Sequence, residues 1–237
     1  MIPVSSWYNG LGRFTFPTVF IGLAEHEKKA LAQAPDLSPK EEQKAFEGIV
    51  GAARNAIRSL PGGCFVGADV CAPTDSPLFA DSPSIITGER AWEMLRSSNK
   101  VRAALNQNLT SRLYVRPYRH INTIREFRLF FYQRELKAMS QMNLQRHFAR
   151  FDKKHDYLWN EAQKLAVNIG PWLPRDNLAV DIYFCANGDI LIIDMNQWGE
   201  PTDPLLLRTW DREWREIIGL KLIPPPMKMR GNISISF

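Results

Sequence analysis

The strongest constraint on the fold lies in the segment LAVDIYFCANGDILIIDMN at 178–196, where two strand-like runs flank Asn187-Gly188. Asn-Gly between such runs is the best short-range signal for a hairpin closed by a two-residue type I′ turn. With a turn of that length, Asp181 lies directly opposite Asp194, and Asn196 lies two residues further along the same face. The chain is therefore predicted to contain an antiparallel sheet with an acidic face.

The chemistry of this acidic face has two interpretations. Two opposed carboxylates destabilise a sheet unless a positive group offsets them. Two carboxylates and an amide suit Mg²⁺, which keeps part of its shell for water and substrate phosphates. The alternative is a solvated face, or an Arg or Lys packed between the acids. The opposite face is expected to pack on a core through Val180, Ile182, Phe184, Leu191, Ile193 and Met195.

A second hairpin is predicted from EFRLFFY and LKAMSQM, with Gln133 and Arg134 as its turn. That register puts Glu126 opposite Gln141 and Arg128 on the same face. A guanidinium at this place has the geometry to contact phosphate oxygens in a bidentate way. The alternative is a Glu-Arg pair within the sheet without functional meaning.

Capping signals and apolar spacing predict several further elements. Ser38, Pro39 and Glu41 form a helix-starting signature, and the apolar spacing after them predicts a helix that ends before Pro61. Strands are expected at 18–23 and 64–70, and helices at 89–96, at 152–167 and within 204–220.

Composition narrows the class of protein. The chain has 237 residues, 45% of them hydrophobic and 23% charged, which is enough apolar material for a substantial core. Its formal net charge is +5, but the basic residues are dispersed, so nucleic-acid binding is not expected. Three scattered cysteines fit a reducing compartment, and no apolar run is long enough to cross a membrane. We expect a cytoplasmic protein without a membrane partner.

Several further segments follow one another in a distinctive order. The first is SSWY at 5–8, which is followed by FPTVFIGL. The later ones are CFVGADVCAPTDS, AWEMLRSSNKV, YVRPYRHINTIREFRLFFYQRELKAMSQ and VDIYFCANGDILIIDMNQWGEPTDPLLL. In this order the segments resemble the cell division cycle protein 123 family, a divergent branch of the ATP-grasp superfamily.

The resemblance implies an α+β ATP-grasp fold, with two lobes that each carry a mainly antiparallel sheet and helices. The lobes would be residues 1–111 and 112–237, with a nucleotide cleft between them. ATP and Mg²⁺ are the implied ligands, with the metal on Asp181, Asp194 and Asn196. Arg128 would stabilise transferred phosphate as the catalytic residue. The implied cofactor-binding set is Arg116, Pro117, Tyr118, Glu126, Arg128, Gln141, Asp181, Asp194 and Asn196, with the backbone of 112–118 next to the adenine.

Two positions depart from the family pattern. Members usually have a lysine where this chain has Gly67, and a basic residue after Ala-Pro where it has Thr74. Each lost contact to phosphate is worth on the order of 1.5 to 3 kcal/mol. The candidate replacements are Arg112, Arg116, Arg119 and Lys100.

The resemblance leaves two functions open. One is an ATP-dependent ligase of the carboxylate-amine type, or a protein-modifying enzyme. The other is a non-catalytic assembly chaperone that binds a translation initiation factor 2 subunit of the gamma type. An interaction surface for such a partner is suggested by Trp7, Tyr8, Trp198, Trp210 and Trp214.

Overall fold

Two β-sheets organise residues 2–226, the part of the chain that the computed structural model describes. The smaller sheet is antiparallel with the strand order β1-β3-β2, and its strands are β1 (Val19–Gly22), β2 (Cys64–Ala68) and β3 (Arg112–Pro117). The larger sheet has the order β7-β6-β4-β5-β8, and only β8 pairs in parallel. Its strands are β4 (Glu126–Tyr132), β5 (Glu135–Gln141), β6 (Leu178–Phe184), β7 (Ile190–Gln197) and β8 (Gly219–Lys221).

Helices cover the outer sides of both sheets. The α-helices are α1 (Val4–Leu11), α2 (Glu25–Ala32), α3 (Pro39–Arg58), α4 (Pro77–Asp81), α5 (Gly88–Arg96), α6 (Asn99–Asn106), α7 (Ala149–Asp152) and α8 (His155–Ile169). Short 3₁₀ turns occur at Gly12–Phe14, Thr123–Arg125, Gly170–Trp172 and Leu205–Leu207. The capping signature of α3 is confirmed, because the Ser38 hydroxyl accepts from Glu41 N while the Glu41 carboxylate accepts from Ser38 N.

Each sheet has its own hydrophobic core. Residues of α2, α3, α5 and α6 pack with the smaller sheet in one cluster, in which Ile49, Leu95 and Val115 are almost fully buried. Residues of α1 and α8 pack on one face of the larger sheet in a second cluster, around Phe127 and Ile182. The predicted α+β class with two mainly antiparallel sheets is therefore confirmed.

The boundary between the segments that form the two sheets lies later in the chain than the sequence predicts. The segment Arg112–Pro117, assigned to the second lobe by the boundary at 111/112, is the central strand of the smaller sheet. It has this place because Leu113 and Val115 are apolar and complete the core of the first cluster. Residues 227–237 of the predicted second lobe lie outside the described residues, and a division of the chain into two lobes as domains stays a prediction.

The N-terminal segment 2–18 connects the two sheets. Ile2 N donates to Met195 O in β7, while Val4 N donates to Asp69 O beyond β2. Further along, the Thr15 hydroxyl donates to Ile192 O over 2.7 Å. The segment is thus hydrogen-bonded to both sides of the space between the sheets.

The first hairpin has the predicted pair but a different turn. Cys185 N donates to Asp189 O, so the loop holds three residues, and Gly188 takes a φ of 95° that favours glycine. The predicted two-residue type I′ turn is wrong. A β-bulge between Asp181 and Ile182 offsets the additional turn residue, and Asp181 still pairs with Asp194. Because of this bulge Ile192 is buried in the core, whereas Ile193, which was predicted there, lines the cleft.

The second hairpin has the predicted turn but a different register. Gln133 and Arg134 both have positive φ values of 53° and 63°, as a type I′ turn requires. A bulge beside Phe130 shifts the pairing, and Gln141 lies opposite Phe127 instead of Glu126. The predicted pairing of Glu126 with Gln141 is wrong, and Gln141 faces away from Arg128 because side chains alternate along a strand.

The helix predicted within 204–220 is wrong. This segment holds only the 3₁₀ turn Leu205–Leu207 and the short strand β8. Leu205 and Arg208 have positive φ values, which interrupt any helix. The segment instead packs Leu207 and Trp214 against Phe130 on the second face of the larger sheet. Among the described residues, no helix is long and apolar enough to cross a membrane.

Two glycines test how tightly α5 packs on α3. A Cβ at Gly88 would collide with the main-chain oxygen of Val50, while a Cβ at Gly51, inside α3, meets no atom within 4 Å. We expect Gly88→Ala to lower the free energy of unfolding by about 1 to 3 kcal/mol, since backbone must shift. The matched Gly51→Ala should raise it by up to about 1 kcal/mol, because alanine favours a helix. Urea unfolding measures both, and equal effects would contradict the packing.

Candidate functional site

A cleft of about 770 Å³ lies between the two sheets. Its walls combine an apolar part, which includes Phe65, Phe79 and Tyr114, with charged side chains of both signs. Of the predicted site residues, five line it: Arg116, Pro117, Tyr118, Glu126 and Asp194. The segment 112–118 thus contributes to the lining of the cleft, and its contact with adenine stays a prediction. The backbone N of Tyr118 already donates to Gly63 O over 2.7 Å.

A row of polar residues crosses the larger sheet on its second face. Lys221, Ser140, Arg128, Asp181 and Asp194 are consecutive Cα partners across β8, β5, β4, β6 and β7. Since paired residues share a face, the hairpin turns bring these side chains together even though they lie far apart in the sequence. The Asp194 end of the row opens into the cleft.

Arg128 and Asp181 form a buried, bidentate ion pair at the centre of this row. Arg128 Nε donates to Asp181 Oδ1 over 2.7 Å and Nη2 donates to Oδ2 over 2.9 Å. Nη1 donates to the main-chain oxygen of Asp203 over 2.8 Å. Both residues are less than 10% exposed. The alternative of an arginine paired with an acid of this face therefore holds for Asp181, and a catalytic role of Arg128 stays a prediction.

Asp194 forms no such ion pair among the described residues, although the charge of Arg116 partly opposes the rise of its pKa. Among the described residues its carboxylate accepts one hydrogen bond, from the backbone N of Met195 at 2.8 Å. Removal from water, together with the negative charge of Asp181, raises the pKa of Asp194 to about 7. A cation that reaches the cleft would stabilise the ionised form of this carboxyl group.

Asn196 completes the set of oxygen ligands that the sequence predicts for a metal. Its Nδ2 donates to Asp181 Oδ2 over 2.9 Å, which leaves its carbonyl oxygen available. The described residues contain no group of three or more His, Cys, Asp and Glu side chains that could hold a metal. A metal here would depend on two carboxylates and one amide, and this hard oxygen set fits Mg²⁺.

Glu126 is a third acid at this edge of the cleft. Burial raises its pKa, and the charge of Asp181 raises it further. No described residue donates a hydrogen bond to its carboxylate. Asp194 and Glu126 thus place two carboxyl groups on one wall, and Asp181, paired with Arg128, lies next to Asp194 in the sheet.

Arg116 supplies positive charge on the facing wall. Its Nε donates to the Thr18 hydroxyl and its Nη1 donates to Ile193 O, while its guanidinium lies 4.7 Å from the centre of the Tyr114 ring. The residue is 6% exposed, yet Nη2 is buried without a hydrogen-bond partner among the described residues. An orphaned, charged donor beside a cleft is costly unless an anion pairs with it.

The two positions without the expected cations differ from each other. Tyr114 pairs with Gly67 across β2 and β3, and its ring occupies the space that a side chain at 67 would need. At the second position, Lys100 Nζ donates to the Thr74 hydroxyl over 2.7 Å, and both residues line the cleft.

Several predicted or overlooked residues have other places. Gln141 anchors a loop, because its Nε2 donates to Arg146 O and its Oε1 accepts from Ile223 N. Two residues of the cleft were not predicted from the sequence. The only signal for Tyr114 was its position opposite a glycine. Asp69 accepts a hydrogen bond from Ser5 N in α1 through its carboxylate.

The predicted aromatic surface is wrong for two of its five residues, whereas Tyr8, Trp198 and Trp210 are half-buried. Trp7 and Trp214 are buried, and Trp198 and Trp210 pack against each other with ring centres 4.7 Å apart. Together with Phe130 and Tyr132, the three C-terminal tryptophans fill a small core on the second face of the larger sheet. Their spacing is that of core residues, which is the usual role of such aromatics.

Comparisons with known proteins agree with this architecture. A family model described as D123 matches residues 23–219. Relatives from Xenopus tropicalis, Xenopus laevis and Danio rerio carry the name translation initiation factor eIF2 assembly protein. The one from Xenopus tropicalis is 26% identical over 179 residues, with 68% of this chain and 53% of the relative covered. The one from Danio rerio is 31% identical over 87 residues, with 36% and 25% covered. The chain spans about half the length of the first relative.

The solved structure of Cdc123 from Schizosaccharomyces pombe is similar in fold. Its TM-score is 0.75 at 19% sequence identity, with 92% of this chain and 93% of that chain covered. A C-terminally truncated form of the same protein gives a TM-score of 0.76. The likeness extends over both sheets, so the arrangement of the cleft walls is that of a known fold.

The buried ion pair gives the first prediction on the site. Arg128→Met leaves the Asp181 carboxylate buried without its counter-charge, so we expect a loss of about 3 to 5 kcal/mol in the free energy of unfolding. The matched control is Arg54→Met, which breaks the half-exposed pair with Glu89 and should cost about 0 to 1 kcal/mol. Urea unfolding compares them. Similar losses in the two variants would contradict the conclusion that the buried Arg128–Asp181 pair matters more for stability than an exposed pair.

The raised pKa of Asp194 gives a pH dependence. The folded protein holds this proton more tightly than the unfolded chain, so stability due to Asp194 is present at low pH and falls as pH rises from about 4 to about 7. Asp194→Asn removes this slope. We expect the variant to equal the wild type near pH 4 and to exceed it by roughly 1 to 3 kcal/mol near pH 8, in the absence of divalent cations.

Asp156→Asn is the control for this series, because Asp156 is almost fully exposed on α8. Thermal unfolding of the three proteins across the pH range measures the differences. If the stability of the wild type and of Asp194→Asn changed with pH in parallel, ionisation of Asp194 would not destabilise the folded protein.

Proposed function

The chain belongs to the D123 family, that of cell division cycle protein 123, and on this premise we propose that its cleft binds ATP together with Mg²⁺. The observation that carries the proposal is the presence of opposite charges in the same cleft. The Asp194 carboxylate has no ion-pair partner among the described residues, and Arg116, which donates to the neighbouring Ile193 O, keeps its Nη2 without a hydrogen-bond partner. A metal ion held by the carboxylate and a phosphate held by the guanidinium would satisfy both groups at once.

The acidic wall would hold the metal through Asp181, Asp194 and Asn196. Bound Mg²⁺ supplies positive charge that neutralises phosphate oxygens. Asp181 is already oriented by Arg128 and Asn196, so little rearrangement is required of it. Asp194 would give up its proton as the cation arrives, and metal binding should therefore release protons near neutral pH.

The base of the nucleotide would occupy the apolar part of the cleft. Phe65, Phe79 and Tyr114 supply aromatic and apolar area there, next to Pro117 and Tyr118 at the end of β3. Ligand clefts typically combine such an apolar region with a few polar groups that set orientation. An ATP-grasp type of nucleotide site, as the sequence resemblance implies, has this division.

Between an assembly protein and a ligase, one contact favours the assembly protein. All three nitrogens of the Arg128 guanidinium already have partners, two on Asp181 and one on Asp203 O. An arginine held in this way supports the metal wall and is less available for a phosphoryl group in transfer. The names of the relatives from Xenopus tropicalis and Danio rerio agree with a role in assembling translation initiation factor eIF2, which we extend to this chain as a cytoplasmic function.

Calorimetry with ATP and Mg²⁺ tests the site. We expect the wild type to bind ATP much more tightly with Mg²⁺ than without it. Asp194→Asn should lose roughly tenfold or more of the affinity measured with Mg²⁺, because it removes a charged ligand, and should change little when EDTA is present. Asp156→Asn should bind as the wild type does. A wild type with no Mg²⁺-dependent affinity would end the proposal.

A second experiment separates assembly from catalysis. The saturated complex of the chain with ATP and Mg²⁺ is mixed with a purified gamma subunit of the initiation factor, and complex formation and ADP release are followed together. A stable complex without turnover supports the assembly function. ADP release that depends on added amines or carboxylates, in the absence of any complex, would instead establish a ligase.

A further inference from the structure

Lys100 reaches the cleft at a place where the chain lacks an expected cation. Residue 74 follows Ala72-Pro73 in a loop that lines the cleft, and it is a threonine. The Lys100 ammonium donates to the Thr74 hydroxyl over 2.7 Å. Thr74 carries no charge, and Lys100, in the first turn of α6, therefore supplies a positive charge to the same loop.

The backbone of Lys100 is held in place by Asp75. One carboxylate oxygen of Asp75 accepts from the Ser98 hydroxyl over 2.5 Å, and the other accepts from Lys100 N over 3.1 Å. These hydrogen bonds lower the pKa of Asp75, although burial opposes them. Asp75 thus fixes the start of α6 next to Thr74. The hydrogen bond to the Thr74 hydroxyl then orients the Lys100 side chain along the loop.

The Lys100 ammonium is available to bind an anionic ligand. Among the described residues it forms no salt bridge, and its hydrogen-bond partner is a neutral hydroxyl. Asp75, whose carboxylate accepts from the backbone N of Lys100, is already bound to Ser98 and to backbone. An ammonium has three donors, so two remain for oxygens of a ligand.

The other missing cation is not replaced in this way. The Tyr114 ring fills the space above Gly67, so no side chain from β2 extends into the cleft at that point. The basic residues that line the cleft therefore include Arg116, at the end of β3, and Lys100 on the loop side, besides Arg119. Arg116 and Lys100 come from different elements, β3 and α6, and both line the same cleft.

We propose that Lys100 is a specificity-determining residue of this cleft, which binds the phosphate oxygens of the nucleotide in place of a basic side chain at 74. The proposal rests on the function proposed above. It goes beyond it, because it assigns recognition of the triphosphate to a side chain from α6 that Thr74 orients. The role is one of affinity for phosphate, and the base and the metal keep their own contacts.

Lys100→Met tests the proposal, with Lys44→Met on the exposed surface of α3 as the matched control. Binding of ATP with Mg²⁺ and binding of adenosine are measured by calorimetry. Lys100→Met should bind ATP about tenfold to a hundredfold more weakly, because a charge-assisted contact is lost, while its affinity for adenosine stays the same. Lys44→Met should match the wild type for both ligands. Equal melting temperatures exclude misfolding as the cause.

A charge relocation provides the second test. Thr74→Lys in the Lys100→Met background returns the charge to the loop and should restore most of the lost ATP affinity. A double variant as weak as the single one would overturn the proposal. So would a Lys100→Met protein with unchanged ATP affinity, and in that case the ATP site itself would stand. A wild type that does not bind ATP would instead overturn the function on which the inference rests.

Discussion

The ion pair between Arg128 and Asp181 is the constraint on which the rest of the site depends. Burying two charges is costly, and the cost is offset here by two parallel hydrogen bonds between the pair and by further ones to Asn196 and to Asp203 O. These bonds connect β4 to β6, β6 to β7, and the larger sheet to the segment that follows β7. Because Asp181 is compensated within the sheet, Asp194 is the acid of the row that has no ion-pair partner among the described residues, and it lies at the end that opens into the cleft.

Much of this arrangement could be predicted from the sequence, and the errors have a common physical origin. Asn187-Gly188 predicted the hairpin, and the pairing of Asp181 with Asp194 was right although the turn was one residue longer. A bulge restored the pair, and bulges leave no clear sequence signal because any residue can occupy them. The same kind of irregularity moved Gln141 to the wrong face. The segment 204–220 has helical spacing of apolar residues, but its tryptophans gain more by covering Phe130 than by forming a helix.

Side-chain partners across different elements were the part that sequence could not supply. Lys100 was one of four basic residues considered as replacements, and nothing in its neighbourhood in the chain distinguishes it. Its distance to Thr74 depends on how α6 begins beside the loop after β2, which is a property of tertiary packing. The family resemblance predicted which positions lack a cation. The fold shows that one of these positions is filled by an aromatic ring and that the other is reached by a lysine.

The hydrogen bonds of the N-terminal segment have a consequence for the order in which the protein acquires its structure. Thr15 and Ile192 are 177 residues apart in the chain, and Ile2 contacts Met195 over a still longer separation. Contacts of such high sequence separation form late, since the loop between them must first be closed. The smaller sheet and its helices use mostly nearer partners and are free to form earlier. The back of the cleft, and with it the final distance between the two walls, is therefore set only once β7 has paired.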